Sequence, residues 1–221
     1  MSISRLNGVS AVIVLAGLAL AWWYYPQLPD PVPTHWNAAG EVDGWTSKPW
    51  GVWLFPAISS GLLLMFLVLP VISPKGFRLE QSRKAYDSVV FIFLGFMVGV
   101  QLFTYRSAIS GGQELVKFVP MAIGLLFVVL GNYIGKFQKN FFVGIRTPWT
   151  LASDRVWNRT HRLGGYVFMI GGVLIMLSGV FNAPVGFFIA VAIGVALIPT
   201  IYSLVIYKQL EGFDGQDNSD E

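Results

Sequence analysis

The chain has two histidines, and each lies near a tryptophan in a polar segment between apolar stretches. The first, His35, precedes Trp36 and Asn37, with Asp43 and Trp45 downstream. An imidazole that titrates near neutral pH, placed beside aromatic faces, could form a small recognition surface for a peptidic or lipidic partner. The imidazole and the carboxylate could instead only hold the loop together through side-chain hydrogen bonds. Both alternatives stay open at this level.

The segment around the second histidine is basic, aromatic and too polar to cross a membrane. Thr147 followed by Pro148 is typical of a helix start, and Ser153 is a further capping residue. The residues after Ser153 fit a short interfacial helix that anionic headgroups would hold at the surface. The alternative is a polar cluster that grips a partner or substrate. Its members would be Arg146, Thr147, Pro148, Trp149, Trp157 and His161.

Neither segment has the pattern of a catalytic or metal site. The chain has no cysteine, and its two histidines and scattered carboxylates lack a ligand spacing that metal sites use. Ser153, Asp154 and His161 suggest a triad, but adjacent residues of one helix point to different sides. We therefore expect no enzyme activity, no metal and no cofactor.

The residues between these segments predict a membrane protein. Apolar residues make up 54% of the 221 positions, charged residues only 12%, and the apolar residues form long runs. A bilayer core of about 30 Å needs about 20 apolar residues per helix, and lipid requires each helix to satisfy its own backbone. We expect an all-α, polytopic integral membrane helical bundle with six transmembrane helices. The predicted spans are roughly 3–25, 50–72, 88–105, 115–133, 163–181 and 185–207.

Lysine and arginine concentrate in the second and fourth connecting loops, which predicts that these loops are cytoplasmic. Both termini would then be cytoplasmic, loop 26–49 would face outward and loop 134–162 would face the cytoplasm. The predicted regions are an N-terminal three-helix region, a C-terminal three-helix region and an acidic, disordered tail. They cover residues 1–112, 113–210 and 211–221.

Both polar segments resemble one family of bacterial membrane immunity proteins, the SdpI family. LPDPVPTHWNAAGEVDGW, which begins at Leu28, is similar to an N-terminal family region of unassigned role. NYIGKFQKNFFVGIRTPWTLASDRVWNRTHRLGG, which begins at Asn132, resembles the C-terminal family region. The matching positions are Gly144, Arg146, Thr147, Pro148, Trp149, Thr150, Trp157, His161 and Gly164.

The resemblance implies a multi-pass protein of the bacterial cytoplasmic (plasma) membrane that protects the cell against a secreted antimicrobial peptide toxin. It also implies a signalling role through a cytoplasmic repressor. Membrane lipids are further expected partners, and direct nucleic-acid binding is not expected because the basic residues are split between two loops and a few helix ends. The alternative is a peptide or lipid transporter or exporter, although the predicted helix centres lack the ionisable groups that such pathways usually carry.

Overall fold

The computed structural model describes residues 5–75, 79–111 and 115–212. Within these ranges the chain forms seven α-helices and one two-stranded hairpin, and a 3-10 turn, Leu79–Ser82, leads into the third helix. The elements in chain order are α1 (Arg5–Tyr24), β1 (Val32–Trp36), β2 (Val42–Thr46), α2 (Trp50–Val68), α3 (Arg83–Ser110), α4 (Leu115–Ile134), α5 (Pro148–Ala152), α6 (Asp154–Val180) and α7 (Val185–Leu210).

Five helices in the described part of the chain are long and apolar enough to cross a membrane, namely α2, α3, α4, α6 and α7. Helix α1 has a shorter apolar part, Gly8–Tyr24. The chain is therefore a mostly helical, multi-pass membrane protein. A sixth span and the cytoplasmic position of both termini stay predictions, as does the division into regions, whose boundary falls at residues 112–114, outside the described ranges. Most of the predicted disordered tail, from residue 213 onward, also lies outside them.

The expectation of an all-α fold is wrong in the first loop. Strands β1 and β2 pair there as an antiparallel hairpin, in which Val32 lies opposite Thr46 and Trp36 lies opposite Val42. The turn is held by Asn37, whose side-chain oxygen accepts hydrogen bonds from two backbone N–H groups farther along the turn. The β-branched residues and prolines of this loop favour extended backbone, and the asparagine side chain stabilises the reversal.

The expectation of a separate interfacial helix after Ser153 is also wrong, because α6 runs unbroken from Asp154 to Val180. Both predicted caps are confirmed. The Thr147 hydroxyl accepts a hydrogen bond from the backbone of Thr150, and the Ser153 hydroxyl accepts one from Val156. The first turns of α6 expose their arginines and bury the opposite face. Because these turns have one exposed face and one buried face, they pack against the bundle as the start of the same helix that continues into it.

Helices α4 and α6 pack along each other through glycines spaced seven residues apart. A Cβ atom added to Gly131 would lie 2.7 Å from the carbonyl oxygen of Gly165, and one added to Gly172 would lie 2.6 Å from that of Gly124. These contacts are too short for any side chain beyond hydrogen, so the two backbones approach directly. We call this contact the glycine seam.

The connections gather at two ends of the bundle. The hairpin and the α6–α7 turn line one cavity, and this side is called the hairpin end. At the opposite side, Ser82 accepts a hydrogen bond from the backbone N–H of Gln138 at 2.8 Å, and Leu79 packs in one buried cluster with Phe137. That side carries the second and fourth loops and is called the basic end.

Candidate functional site

A cavity of about 400 Å³ lies beneath the hairpin and is called the hairpin cavity. Its walls come from β1 and the turn of the hairpin and from five helices, and they are mainly apolar and aromatic. Apart from the hairpin, the lining includes Phe55, Val100, Phe118, Val119, Ala183 and Phe188. Cavities of this size with apolar walls and a few polar groups are typical of ligand sites.

Trp36 also lines this cavity. Its indole Nε1 is buried and has no hydrogen-bond partner among the residues that the structure describes. Because this N–H is not accessible from the cavity, a ligand there would contact the indole ring and not its N–H group.

His35 and Asp43 join the two strands at the rim. The Nδ1 atom of His35 lies 2.5 Å from a carboxylate oxygen of Asp43, and the side chains are 71% and 45% exposed. The bond links the two strands of the hairpin. Because both side chains remain accessible, the pair is also reachable from outside, and His35 lines the cavity.

The structure divides the five residues predicted for the first loop. His35, Trp36 and Asn37 line the hairpin cavity, although the side chain of Asn37 forms its hydrogen bonds within the turn. Asp43 reaches the rim through its bond to His35, and Trp45 is 57% exposed and lies outside the cavity lining.

Lys48 anchors the hairpin to the bundle, a role that the sequence interpretation missed. Its ammonium group donates to the carbonyl oxygens of Tyr25 and Leu28, at 2.8 and 2.7 Å, and its backbone N–H donates to Asp30. The signal was available, since this is the single basic residue in a loop that would otherwise carry none.

A buried polar chain beneath the cavity fixes α1, α2 and α3 together. The Gln101 side chain is fully buried and donates to the carbonyl oxygen of Gly17 at 2.8 Å and to the Tyr105 hydroxyl at 3.2 Å. The hydroxyl in turn donates to the carbonyl oxygen of Val52. One glutamine in an apolar helix was a visible signal, but its partners lie too far away in the sequence to be inferred.

At the basic end, Trp157 and His161 form a stacked pair inside the protein. Each is 1% exposed, and their ring centroids lie 3.9 Å apart. The indole donates to the carbonyl oxygen of Phe137 at 2.8 Å. The imidazole donates from Nδ1 to the carbonyl oxygen of Trp157 at 2.8 Å, and its Nε2 accepts from the backbone N–H of Ile145 at 2.9 Å. Because one ring nitrogen donates and the other accepts, this arrangement holds a neutral imidazole.

Gly144 allows this pair to form. Its φ of +120° favours glycine, and a Cβ atom there would overlap the imidazole of His161 and approach the indole of Trp157. A Cβ atom at Gly164 would overlap the side chain of Ile145. Two glycines of the family pattern therefore have a steric reason in this fold.

Thr147 ties the fourth loop to the last helix. It is buried, forms a capping box with Thr150, and its hydroxyl lies 3.0 Å from the hydroxyl of Ser203 on α7. With the stacked pair, this bond fixes residues 135–147 against α6 and α7.

The predicted cytoplasmic cluster thus consists of two parts. Thr147, Trp157 and His161 are buried and serve the fold. Arg146 and Pro148 are exposed, and Trp149 is half-buried. The guanidinium of Arg146 donates to the carbonyl oxygen of Phe141. A partner that docks on the folded protein could contact only this second part.

The structure does not bring Ser153, Asp154 and His161 together as a catalytic triad. The Ser153 hydroxyl donates to the carboxylate of Glu211 at 2.6 Å, whereas both ring nitrogens of His161 are bonded elsewhere. Across residues 5–75, 79–111 and 115–212, no group of three His, Asp or Glu side chains could hold a metal ion.

Two parts of this multi-pass membrane protein match family models. Residues 136–203 match the SdpI/YfhL protein family, and residues 12–59 match a domain of unknown function, DUF1648. These regions contain the first polar segment and nearly all of the second, and the predicted resemblance to the SdpI family is confirmed. The immunity protein SdpI of Bacillus subtilis (strain 168) is 22% identical over 208 residues, which cover 93% of this chain and 98% of that protein. No solved structure matches the chain.

Proposed function

We propose that this chain is an immunity protein of the bacterial plasma membrane that protects a cell against a secreted, membrane-active peptide. The observation that carries the proposal is its likeness to the immunity protein SdpI, which extends over nearly the whole length of both chains. The aligned length includes both polar segments and the helices between them.

The hairpin cavity is the proposed binding site for the peptide. A membrane-active peptide presents apolar and aromatic side chains, and the cavity offers apolar walls with a few polar residues in its lining. His35 and Asp43 add polar contacts at the rim. The distribution of lysine and arginine favours an outward hairpin end, where a secreted peptide arrives.

We extend the proposal to signalling at the basic end, where a cytoplasmic repressor would contact Arg146, Pro148 and Trp149. Arg146 and Pro148 are exposed and Trp149 is half-buried where the fourth loop enters α5, next to a bond that fixes this segment to α7, and this supports the role. A peptide can change this surface only if it binds one conformation more tightly than another.

Survival of peptide-sensitive bacteria that express the chain tests this function. Ala183→Trp would place an indole in the hairpin cavity, and Ala190→Trp, on an exposed face of α7, is the matched control. We expect the intact chain and Ala190→Trp to protect, and Ala183→Trp and His35→Ala to lose protection at equal membrane abundance. Arg146→Ala is expected to remove the response of a repressor-controlled reporter.

Each outcome affects a different part of the proposal. Failure of the intact chain to protect would reject immunity and favour the transporter alternative. Protection by Ala183→Trp would retain immunity and reject the cavity as its site. An unchanged reporter response in Arg146→Ala would reject signalling through the basic end.

A further inference from the structure

A polar pocket of about 560 Å³ opens at the basic end between the start of α3 and the end of α4. Its lining contains three cationic side chains, Arg83, Lys84 and Lys136, and the carboxylate of Glu80. The ammonium group of Lys136 lies 4.5 Å from the centroid of the Tyr133 ring, which forms part of the same wall. Such a pocket between helices at the level of the membrane surface has the chemistry of an anionic headgroup site.

The charge balance of this pocket indicates the charge of the ligand that it would bind. Behind the wall, Asp87 is 4% exposed and its carboxylate lies 2.8 Å from the Nε atom of Arg83. The three cations of the lining are therefore set against two carboxylates, those of Glu80 and Asp87, and one positive charge remains. A phosphodiester carries one negative charge and accepts hydrogen bonds from ammonium groups.

An apolar groove of about 440 Å³ lies along α3 and α4, and its lining starts one helical turn from that of the polar pocket. The groove begins at Ile92 and Val129, each four residues, or one helical turn, beyond Ser88 and Tyr133 of the polar pocket. Gly99 lies in its wall, and a Cβ atom there would meet no described atom from other parts of the chain within 4 Å. The groove is thus open space beside the helices.

The length of the groove matches one lipid leaflet. The lining of the pocket and groove on α3 runs from Ser88 to Val100, which is about 18 Å along a helix. Half of a bilayer core is about 15 Å thick. Near the far end, the rings of Phe103 and Phe118 stack with centroids 3.6 Å apart and join the two helices.

We propose that the polar pocket and the apolar groove together bind one anionic phospholipid, with its phosphodiester beside Lys84 and Lys136 and one acyl chain between α3 and α4. The lipid fills the space where these two helices separate, whereas the glycine seam joins α4 directly to α6. The groove shares Val100 and Phe118 with the hairpin cavity, whereas the polar pocket lies at the opposite end of the bundle and shares no lining residue with that cavity. The proposal does not depend on the immunity function.

Lipid binding to the delipidated, detergent-solubilised full chain tests the headgroup part, with bound lipid counted by native mass spectrometry. Phosphatidylglycerol is compared with phosphatidylcholine of the same acyl chains. Each lysine near an anionic headgroup contributes about fivefold in affinity, so Lys84→Gln combined with Lys136→Gln should weaken phosphatidylglycerol binding about 30-fold. The matched control replaces Lys75 and Lys208, two exposed lysines outside the pocket, and should leave binding unchanged.

The groove is tested separately with Ala122→Trp, which fills it, and Ala196→Trp on an exposed face of α7. We expect the first variant to lose phosphatidylglycerol binding at least tenfold and the second to retain it. Equal affinity for phosphatidylglycerol and phosphatidylcholine would overturn the proposal. Soluble glycerol phosphate binding as tightly as the lipid would also overturn it, since the pocket would then be a free-phosphate site. Thermal unfolding without added lipid shows whether each variant is folded, and the single lysine variants replace the double one if it is not.

Discussion

The two histidines lie near tryptophan in the sequence, yet the fold uses them in opposite ways. His35 is 71% exposed and has one side-chain bond, to Asp43. His161 is 1% exposed, stacks on Trp157 and has both ring nitrogens bonded to backbone groups. The same pair of residue types is thus a reachable polar element at the hairpin end and a packing element at the basic end.

The difference follows from how each segment satisfies its backbone. The hairpin pairs its own strands, which leaves its side chains available. Residues 135–147 have no regular structure, so side chains must supply the partners of their N–H and C=O groups. Asn140, 1% exposed, accepts from two backbone N–H groups and donates to two carbonyl oxygens, and His161 accepts from a third N–H group.

Replacing the buried histidine should have the largest effect on stability. His161→Ala removes a stacked ring and leaves the N–H of Ile145 without its acceptor, so we expect a loss of about 3 kcal/mol in the free energy of unfolding. His35→Ala, the matched change at the hairpin end, should cost less than about 1 kcal/mol. Denaturant titration of both variants in detergent measures the difference, and equal losses would contradict the assigned contrast.

An intermediate effect is expected where the backbone itself makes room for the imidazole. Gly144→Ala combines a φ that disfavours alanine with overlap onto His161, and should cost about 2 kcal/mol or more. Gly111→Ala is the control, because its φ is +95° but a Cβ atom there would meet no described atom within 4 Å. Its cost should be about 1 kcal/mol. The same titration applies, and a smaller loss in Gly144→Ala than in the control would show that the overlap is relieved without cost.

The smallest effect is expected at the exposed pair. Asp43→Asn keeps the shape of the side chain and removes its charge, so the free energy of unfolding should fall by about 0.5 kcal/mol at most. Salt should reduce even this difference, because the pair is reached by solvent ions. Unfolding curves at low and high ionic strength check this expectation. A salt-independent loss above about 1 kcal/mol would mean that the pair is a structural bond comparable to those of His161.

Hydropathy and capping chemistry predicted much of the fold because both are local. The apolar runs predicted the long helices, and Thr147 and Ser153 marked two helix starts correctly. The start of α3 was predicted at Ser88 but lies at Arg83, because charged residues were read as loop. The four-residue spacing of Arg83 and Asp87, which form an ion pair, was the signal that could have extended the helix.

Long-range burial could not be predicted in the same way. The spacing of Trp157 and His161 places both on one stripe of a helix, and their stacking confirms it. Whether solvent or a loop covers that stripe depends on Phe137 and Ile145, which contact it only because the fold brings the fourth loop against α6. Likewise, the prolines of the first loop favour extended chain, but no local sequence pattern predicts the pairing of Val32 with Thr46.

The glycine seam also has a consequence for biogenesis. Gly124 and Gly131 on α4 make their close contacts with Gly172 and Gly165, about forty residues later in the chain. During synthesis α4 therefore enters the bilayer before its partner exists, and its glycine face meets lipid until the ribosome has delivered α6. We expect α4 to be held at the insertion machinery or beside α3 until α6 has been inserted. Folding of this protein would then depend on the insertion of α6.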